Sequence, residues 1–181
     1  MPCRPCQAFN ALPATFTTLL ILFQFGCASG ASSSFPPFTA PAQLAGFNID
    51  HDFDRISDDI RVRIEQHLGA SVFRRVDATY LDGAGHHIFF YVAKTNGLTD
   101  AGIRAAMDDA LPDHTRDAVI SQDGAQFLCR ADPVANAATA LTLCTWRSAD
   151  VFGLVTDGRT PTDSQRTAAF ADAVQSVIVT Q

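Results

Sequence analysis

Histidines and cysteines are the residues of this sequence whose side chains could bind a metal ion or take part in catalysis. The histidines are His51, His67, His86, His87 and His114, and no pair has the spacing that places two ligands on one helix face. His86 and His87 are adjacent in an apolar stretch. Because neighbouring residues of a strand point to opposite faces, these two cannot readily share one metal ion. We therefore predict structural or surface histidines, no metal site and no cofactor.

Serines and acidic residues do not form a recognisable catalytic motif either. The sequence has neither a Gly-x-Ser-x-Gly turn nor a glycine-rich phosphate loop. The acid pairs Asp58–Asp59 and Asp108–Asp109 fall on predicted helices, where consecutive side chains diverge and do not face one substrate. We predict no catalytic residue. The alternative is a hydrolytic site assembled from residues far apart in the sequence.

The N-terminal segment predicts export. The first ten residues carry Arg4 and no acid, residues 16–25 are strongly apolar, and residues 26–31 are small. A basic start, an apolar middle and a small-residue end are together typical of a secretory signal. We therefore predict a signal peptide at 1–30, a tether at 31–45 and a single extracytoplasmic domain at 46–181.

The end of this leader has three interpretations. Residues 28–30 are Ala-Ser-Gly and fit cleavage before Ala31 by signal peptidase. Gly26 followed by Cys27 instead resembles a lipoprotein site, with Cys27 as the lipidated residue. If neither cleavage occurs, the apolar segment anchors the chain. The protein is thus expected to be secreted, or tethered at the outer side of the cell membrane.

Two cysteines remain in the domain after the leader is set aside. Cys3, Cys6 and Cys27 belong to the N-terminal segment, whereas Cys129 and Cys144 lie in the domain. Two cysteines in an exported domain most often pair, so we predict a disulfide between them. Closing a loop of about 15 residues contributes on the order of 3 kcal/mol to stability.

Apolar periodicity predicts an α+β domain. Helical spacing predicts a helix over 52–68, a second one capped by Thr99, and a last one that begins at Thr160 with Pro161 in its first turn. Short turns separate the predicted strands, which makes them antiparallel. We expect an antiparallel sheet of five to six strands, covered on one face by two to three helices. The predicted strands are 72–81, 86–94, 118–121, 125–131, 140–146 and 151–156.

The predicted disulfide has a specific place in this sheet. If strands 125–131 and 140–146 form a hairpin centred near Asn136, Cys129 lies opposite Cys144. Phe127 then lies opposite Trp146 on the same face. The disulfide and the two aromatic rings are therefore predicted to form one cross-strand cluster.

Several short stretches resemble a known group of sequences. They are Ala78-Thr79-Tyr80 with the glycine turn that follows, strand Phe89–Val92, Cys129, Cys144-Thr145-Trp146, and Gly153-Leu154-Val155 before the last helix. Together they resemble a diffuse family of exported actinobacterial proteins and lipoproteins of unknown function. Arg147-Ser148 stands here where the family has an acidic residue after the tryptophan. The resemblance implies a leader, an anchor or tether, and a small outer domain with a disulfide, and it implies no activity.

Charge limits the classes of partner. The chain of 181 residues has a formal net charge of −6, and all of its acids lie beyond the leader. Nucleic acid is therefore a poor partner, and membrane contact is expected only through an N-terminal anchor or lipid. We expect a non-enzymatic binding or envelope domain of unknown biochemical function, with an envelope protein or a small ligand as its partner. A secreted hydrolase is the alternative.

Overall fold

The secondary-structure elements follow the order that the apolar periodicity predicts, with additions at the N-terminal end. The computed structural model describes residues 38–111, 117–131, 141–159 and 161–179, and for residues 53–60 it describes the backbone alone. A 3-10 turn at His51–Phe53 leads into α1 (Asp54–Leu68); the other helices are α2 (Asp100–Ala110) and α3 (Ser164–Ile178). The strands are β1 (Gln43–Leu44), β2 (Phe47–Ile49), β3 (Ser71–Leu81), β4 (His87–Asn96), β5 (Asp117–Gln122), β6 (Ala125–Ala131), β7 (Thr142–Ser148) and β8 (Val151–Asp157).

All neighbouring strands pair antiparallel, in the order β1-β2-β3-β4-β8-β7-β6-β5. The α+β class is confirmed, but the prediction of five to six strands was wrong, because the described residues form eight. The two additional strands, β1 and β2, have two and three residues, too few to show an alternating pattern. Their tight turn uses Ala45 and Gly46 at positive φ, 49° and 85°.

Helices cover both faces of the sheet, which corrects the prediction of one covered face. Helices α1 and α2 pack with Phe89, Tyr91 and Leu154 on one side. Helix α3 packs on the other side with Phe90 and Val155. The reason is that β4 and β8 are apolar on both faces, so each face must be shielded from water.

Close helix packing on the first face depends on Gly102 of α2. A Cβ atom at this position would lie 2.1 Å from the carbonyl oxygen of Leu68 at the end of α1. Glycine therefore lets the two helices approach more closely than any larger residue would.

The helix starts were predicted with mixed success. The Thr99 hydroxyl accepts a hydrogen bond from the Gly102 N–H, so Thr99 caps α2 as expected. Helix α3 instead begins at Ser164, capped by Asp163, whose carboxylate accepts from the N–H groups of Gln165 and Arg166. A carboxylate that takes two free N–H groups is a strong cap and fixes the start three residues beyond the predicted cap.

The folded part of the chain begins earlier than residue 46. Phe38 and Leu44 fall in the expected tether, yet both side chains are buried in the core under α3. The Tyr80 hydroxyl also donates to the carbonyl oxygen of Pro41, at 2.5 Å. The signal segment 1–30 with Cys27 lies outside the described residues, as do His114, Asn136 and Thr160.

Candidate functional site

Cys129 and Cys144 form the predicted disulfide between β6 and β7. The residues lie directly opposite each other, with Cα atoms 4.1 Å apart, a spacing typical of a cross-strand pair without hydrogen bonds between its backbones. Both residues are fully buried. The two sulfur atoms lie 3.9 and 3.8 Å from the carbonyl oxygen of Ser164, where α3 begins. The disulfide is therefore a structural link beneath α3.

The predicted aromatic neighbours of the disulfide are also in place. The rings of Phe127 and Trp146 meet edge to face, with centroids 5.9 Å apart. Gly153 lies opposite Trp146 in the register, and a Cβ atom there would lie 1.9 Å from the indole ring. The indole therefore occupies the space that any other residue at position 153 would need.

Three histidines of the described residues, His67, His86 and His87, lie beside carboxylates. His86 Nδ1 lies 2.9 Å from Asp82 Oδ2, and His87 Nε2 lies 3.1 Å from Asp50 Oδ2. No group of three or more metal-ligating side chains is found in the described part of the chain. A histidine with an acid is two parts of a hydrolytic triad, and a hydrolase would also need a nucleophile beside it.

Asp50 and Asp82 line a cleft of about 310 Å³ between β2 and the turn that joins β3 to β4. Burial raises the pKa of Asp82. The hydrogen bonds from the backbone N–H groups of His86 and Ala84 and from the His86 ring lower it by more, so the pKa lies below its ordinary value. Asp82 thus stays ionised as an acceptor that orders the turn. Both acids of the cleft are thus engaged by histidines, Asp82 by His86 and Asp50 by His87.

A second cavity of about 340 Å³ lies where α2 passes over the sheet next to its edge. We call it the α2–β5 groove. It is formed by Asp100, Ile103 and Arg104 of α2, Val119 of β5, Gln126, Phe127 and Leu128 of β6, and Thr145, Trp146 and Arg147 of β7. Val119 is 65% exposed although it is apolar. This groove combines an apolar lining with charged groups, as small-molecule sites do.

Ion pairs mark the two sides of the α2–β5 groove. Arg147 Nη1 lies 3.3 Å from Asp100 Oδ1, and Arg104 Nη1 lies 3.5 Å from Asp117 Oδ2. The side chains of Arg147 and Arg104 are 44% and 62% exposed. Exposed pairs of this kind are weak, so either guanidinium can exchange its acid for an anionic group of a ligand at little cost.

Arg130 fixes the helix to the sheet beside the groove. Its guanidinium is 3% exposed and lies 2.7 Å from both Asp108 and Asp117. Burial lowers the pKa of Arg130, but the hydrogen bonds to Asp117 and Asp108 raise it more, so it stays charged. Removing one acid would leave a buried charge underpaired, which makes this cluster structural rather than exchangeable.

A buried carboxylate lies at the other end of the sheet, where β8 leads to α3. Asp157 is fully buried and accepts hydrogen bonds from the backbone and side chain of Arg159 and from the Thr167 hydroxyl. Arg166 Nε lies 3.5 Å from it. Burial raises the pKa of Asp157, but the Arg159 hydrogen bonds and the two guanidiniums lower it below its ordinary value. This network connects β8 to α3.

Sequence reasoning missed the α2–β5 groove altogether. Its residues come from four elements, and Asp100 and Arg147 are 47 positions apart. No motif joins them. The one local signal was Val119, an apolar residue on a strand whose other residues are mostly polar or small.

Comparison with protein-family models, with curated proteins and with solved structures finds no match to this chain. Among the described residues, no helix has both the length and the apolar character that a membrane span needs.

Proposed function

We propose that this chain is an exported domain that binds a small ligand without transforming it, and that the ligand site is the α2–β5 groove. The observation that carries this proposal is the groove itself, which places exposed apolar surface beside two loosely paired guanidiniums. Its volume of about 340 Å³ falls in the range of small-molecule sites. The leader and the disulfide support a place outside the cytoplasm, where disulfides persist.

The chemistry of the groove favours an amphipathic ligand with an anionic group. Ile103, Leu128 and Val119 offer aliphatic contact for an apolar body. Arg104 and Arg147 offer several N–H donors each, and hydrogen bonds from a guanidinium to an anion are among the stronger ones in proteins. Neither a nucleophile nor a metal is needed for such binding, so the histidine–carboxylate pairs at the β3–β4 turn remain structural in this proposal.

A fluorescent probe with these properties tests the site. Anilinonaphthalene sulfonate has an apolar ring system and one sulfonate, and its emission rises when it leaves water. We expect saturable binding to the purified protein. The variant Gln126→Trp fills the groove from the exposed side of β6 and should weaken binding about tenfold, a loss of about 1.4 kcal/mol.

Gln66→Trp is the matched control, because it places the same ring on the exposed face of α1, away from the groove. It should bind the probe as the unchanged protein does. Equal affinity in Gln126→Trp and Gln66→Trp would show that the probe binds elsewhere and would contradict the groove as the ligand site. Circular dichroism of both variants checks that they are folded.

A further inference from the structure

We propose that two copies of this chain associate through the free edge of β5, which joins their sheets across a twofold axis. Strand β5 ends the sheet, and no strand of the described residues pairs with its outer side. Residues 118–122 carry no charge, and the strand contains neither proline nor a bulge. Natural sheets protect their edges with charged side chains, prolines or bulges, so a stretch of edge strand without them is suited to pairing with another strand.

The opposite edge of the sheet does have protection. Strand β3 is irregular between Val72 and Arg74, and this places Phe73 in a bulge. Arg74 and Arg75 follow, and β1 and β2 cover the other end of β3. At the β5 edge, by contrast, the strand has no bulge and its residues 118–122 carry no charge.

The turn before β6 fixes which residues of β5 face outward. Asp123 and Gly124 both have positive φ, 46° and 88°, as a two-residue hairpin turn of type I′ requires. The flanking pair Gln122 and Ala125 is then hydrogen-bonded, and hydrogen-bonded pairs alternate along the hairpin. The backbone groups of Asp117, Val119 and Ser121 consequently point to the free edge.

One register lets this edge pair with itself best. With Val119 opposite Val119 of a second copy, Asp117 lies opposite Ser121, and each outward-facing backbone group meets another outward-facing one. The two exposed valines cover each other, and each Asp117, which is paired with Arg130 of its own chain, lies opposite an uncharged serine. A register shifted by two residues toward the turn would instead set Asp117 opposite Asp123 of the second copy, and like charges opposite each other are unfavourable.

The second copy is favoured over an unrelated peptide because this register covers the exposed valine of each copy with that of the other and sets no like charges opposite each other. A twofold axis perpendicular to the sheet also places both α2 helices on the same face. The two α2–β5 grooves then lie on either side of the axis and share a floor that contains both Val119 side chains. Each copy thus contributes a wall to one continuous cleft.

Light scattering after size exclusion measures the association. We expect an apparent mass of about twice that of one chain for the unchanged protein. Val119→Lys places two ammonium groups opposite each other at the axis and should reduce the mass to that of one chain. Val62→Lys changes an exposed valine of α1, which is 43% exposed, and should leave the mass at that of two chains.

Cysteine cross-linking tests the register in a chain whose Cys3, Cys6 and Cys27 are replaced by serine. Val119→Cys should give a covalent dimer under mild oxidation, because opposite residues of such a pair have Cα atoms about 5.5 Å apart. Ser121→Cys should not, because it faces position 117. A single-chain mass at every concentration reached, with no cross-linking of Val119→Cys, would overturn the proposal and leave the edge to an extended peptide of another protein.

Discussion

At the scale of single residues, the contact between Trp146 and Gly153 explains why this chain has glycine inside a central strand. Glycine in a strand costs about 0.5–1 kcal/mol relative to alanine because its backbone loses more freedom on folding. Here an alanine Cβ would lie 1.9 Å from the indole ring of Trp146. The indole is 3% exposed and packs on Phe127 next to the disulfide. The clash that a larger residue at position 153 would make with Trp146 therefore outweighs the cost of ordering a glycine backbone.

The variant Gly153→Ala measures this balance. We expect it to lower the free energy of unfolding by about 1–3 kcal/mol, the usual cost of an extra methyl group in a packed core. Denaturant unfolding followed by tryptophan fluorescence gives the value directly. Gly83→Ala serves as the control, because a Cβ atom at position 83 meets nothing within 4 Å. A Gly153→Ala protein as stable as Gly83→Ala would refute the steric argument.

At the scale of elements, strong local signals were enough to predict most of the fold. Strand β4 was predicted at 86–94 and lies at His87–Asn96. The cross-strand pair Cys129–Cys144 followed from the hairpin register alone. Strands β1 and β2 could not be predicted, because elements this short are stable only through their pairing with β3. For α3, the predicted start at Thr160 was wrong, because the carboxylate of Asp163 caps the helix three residues later.

The contribution of the disulfide between β6 and β7 to the free energy of unfolding can be measured separately. It closes a loop with a sequence separation of 15, which corresponds to about 3 kcal/mol when the unfolded chain is constrained. The double variant Cys129→Ala/Cys144→Ala should lose about that much unfolding free energy, measured by guanidinium titration. Both partners are removed together so that no unpaired thiol remains in the core.

A reducing agent supplies the control for the same experiment. The unchanged protein should lose stability when unfolded and refolded with excess reductant, whereas the double variant should be insensitive to it. Equal stability of the two proteins without reductant would mean that packing under α3, rather than the cross-link, holds β6 and β7 together. Because both cysteines are fully buried, reduction should require unfolding and should be slow in water.

At the scale of the whole molecule, the two edges of the sheet differ. One has the short strands β1 and β2 beside the bulged, basic start of β3, and the other is β5, whose residues 118–122 carry no charge. Helices cover both faces. The sequence could not reveal this asymmetry, because it depends on which strands end the sheet. Strand β8 is the one that pairs with β4, so β7, β6 and β5 follow outward and β5 ends the sheet. The pairing of β4 with β8 joins residues more than fifty positions apart. The same pairing brings α2 beside β5–β7 and so creates the α2–β5 groove.

The destination of the molecule depends on the leader, and intact mass distinguishes its three interpretations. Cleavage before Ala31 predicts a free protein in the medium with the mass of residues 31–181. Lipidation predicts a membrane-bound protein that begins at Cys27 and carries added acyl mass. An uncleaved anchor predicts the full chain in the membrane. In each case the disulfide removes two hydrogens from the mass.

Cys27→Ser decides between the first two outcomes, and Cys6→Ser is its matched control within the same leader. If Cys27 is lipidated, only Cys27→Ser should lose the acyl mass and leave an unprocessed precursor, since lipid attachment requires that thiol. If signal peptidase cleaves before Ala31, both variants should be exported with the unchanged mass. Full-length protein in the cytoplasm with both Cys129 and Cys144 reduced would contradict export itself, because a buried disulfide that persists in the mature domain requires an oxidising compartment.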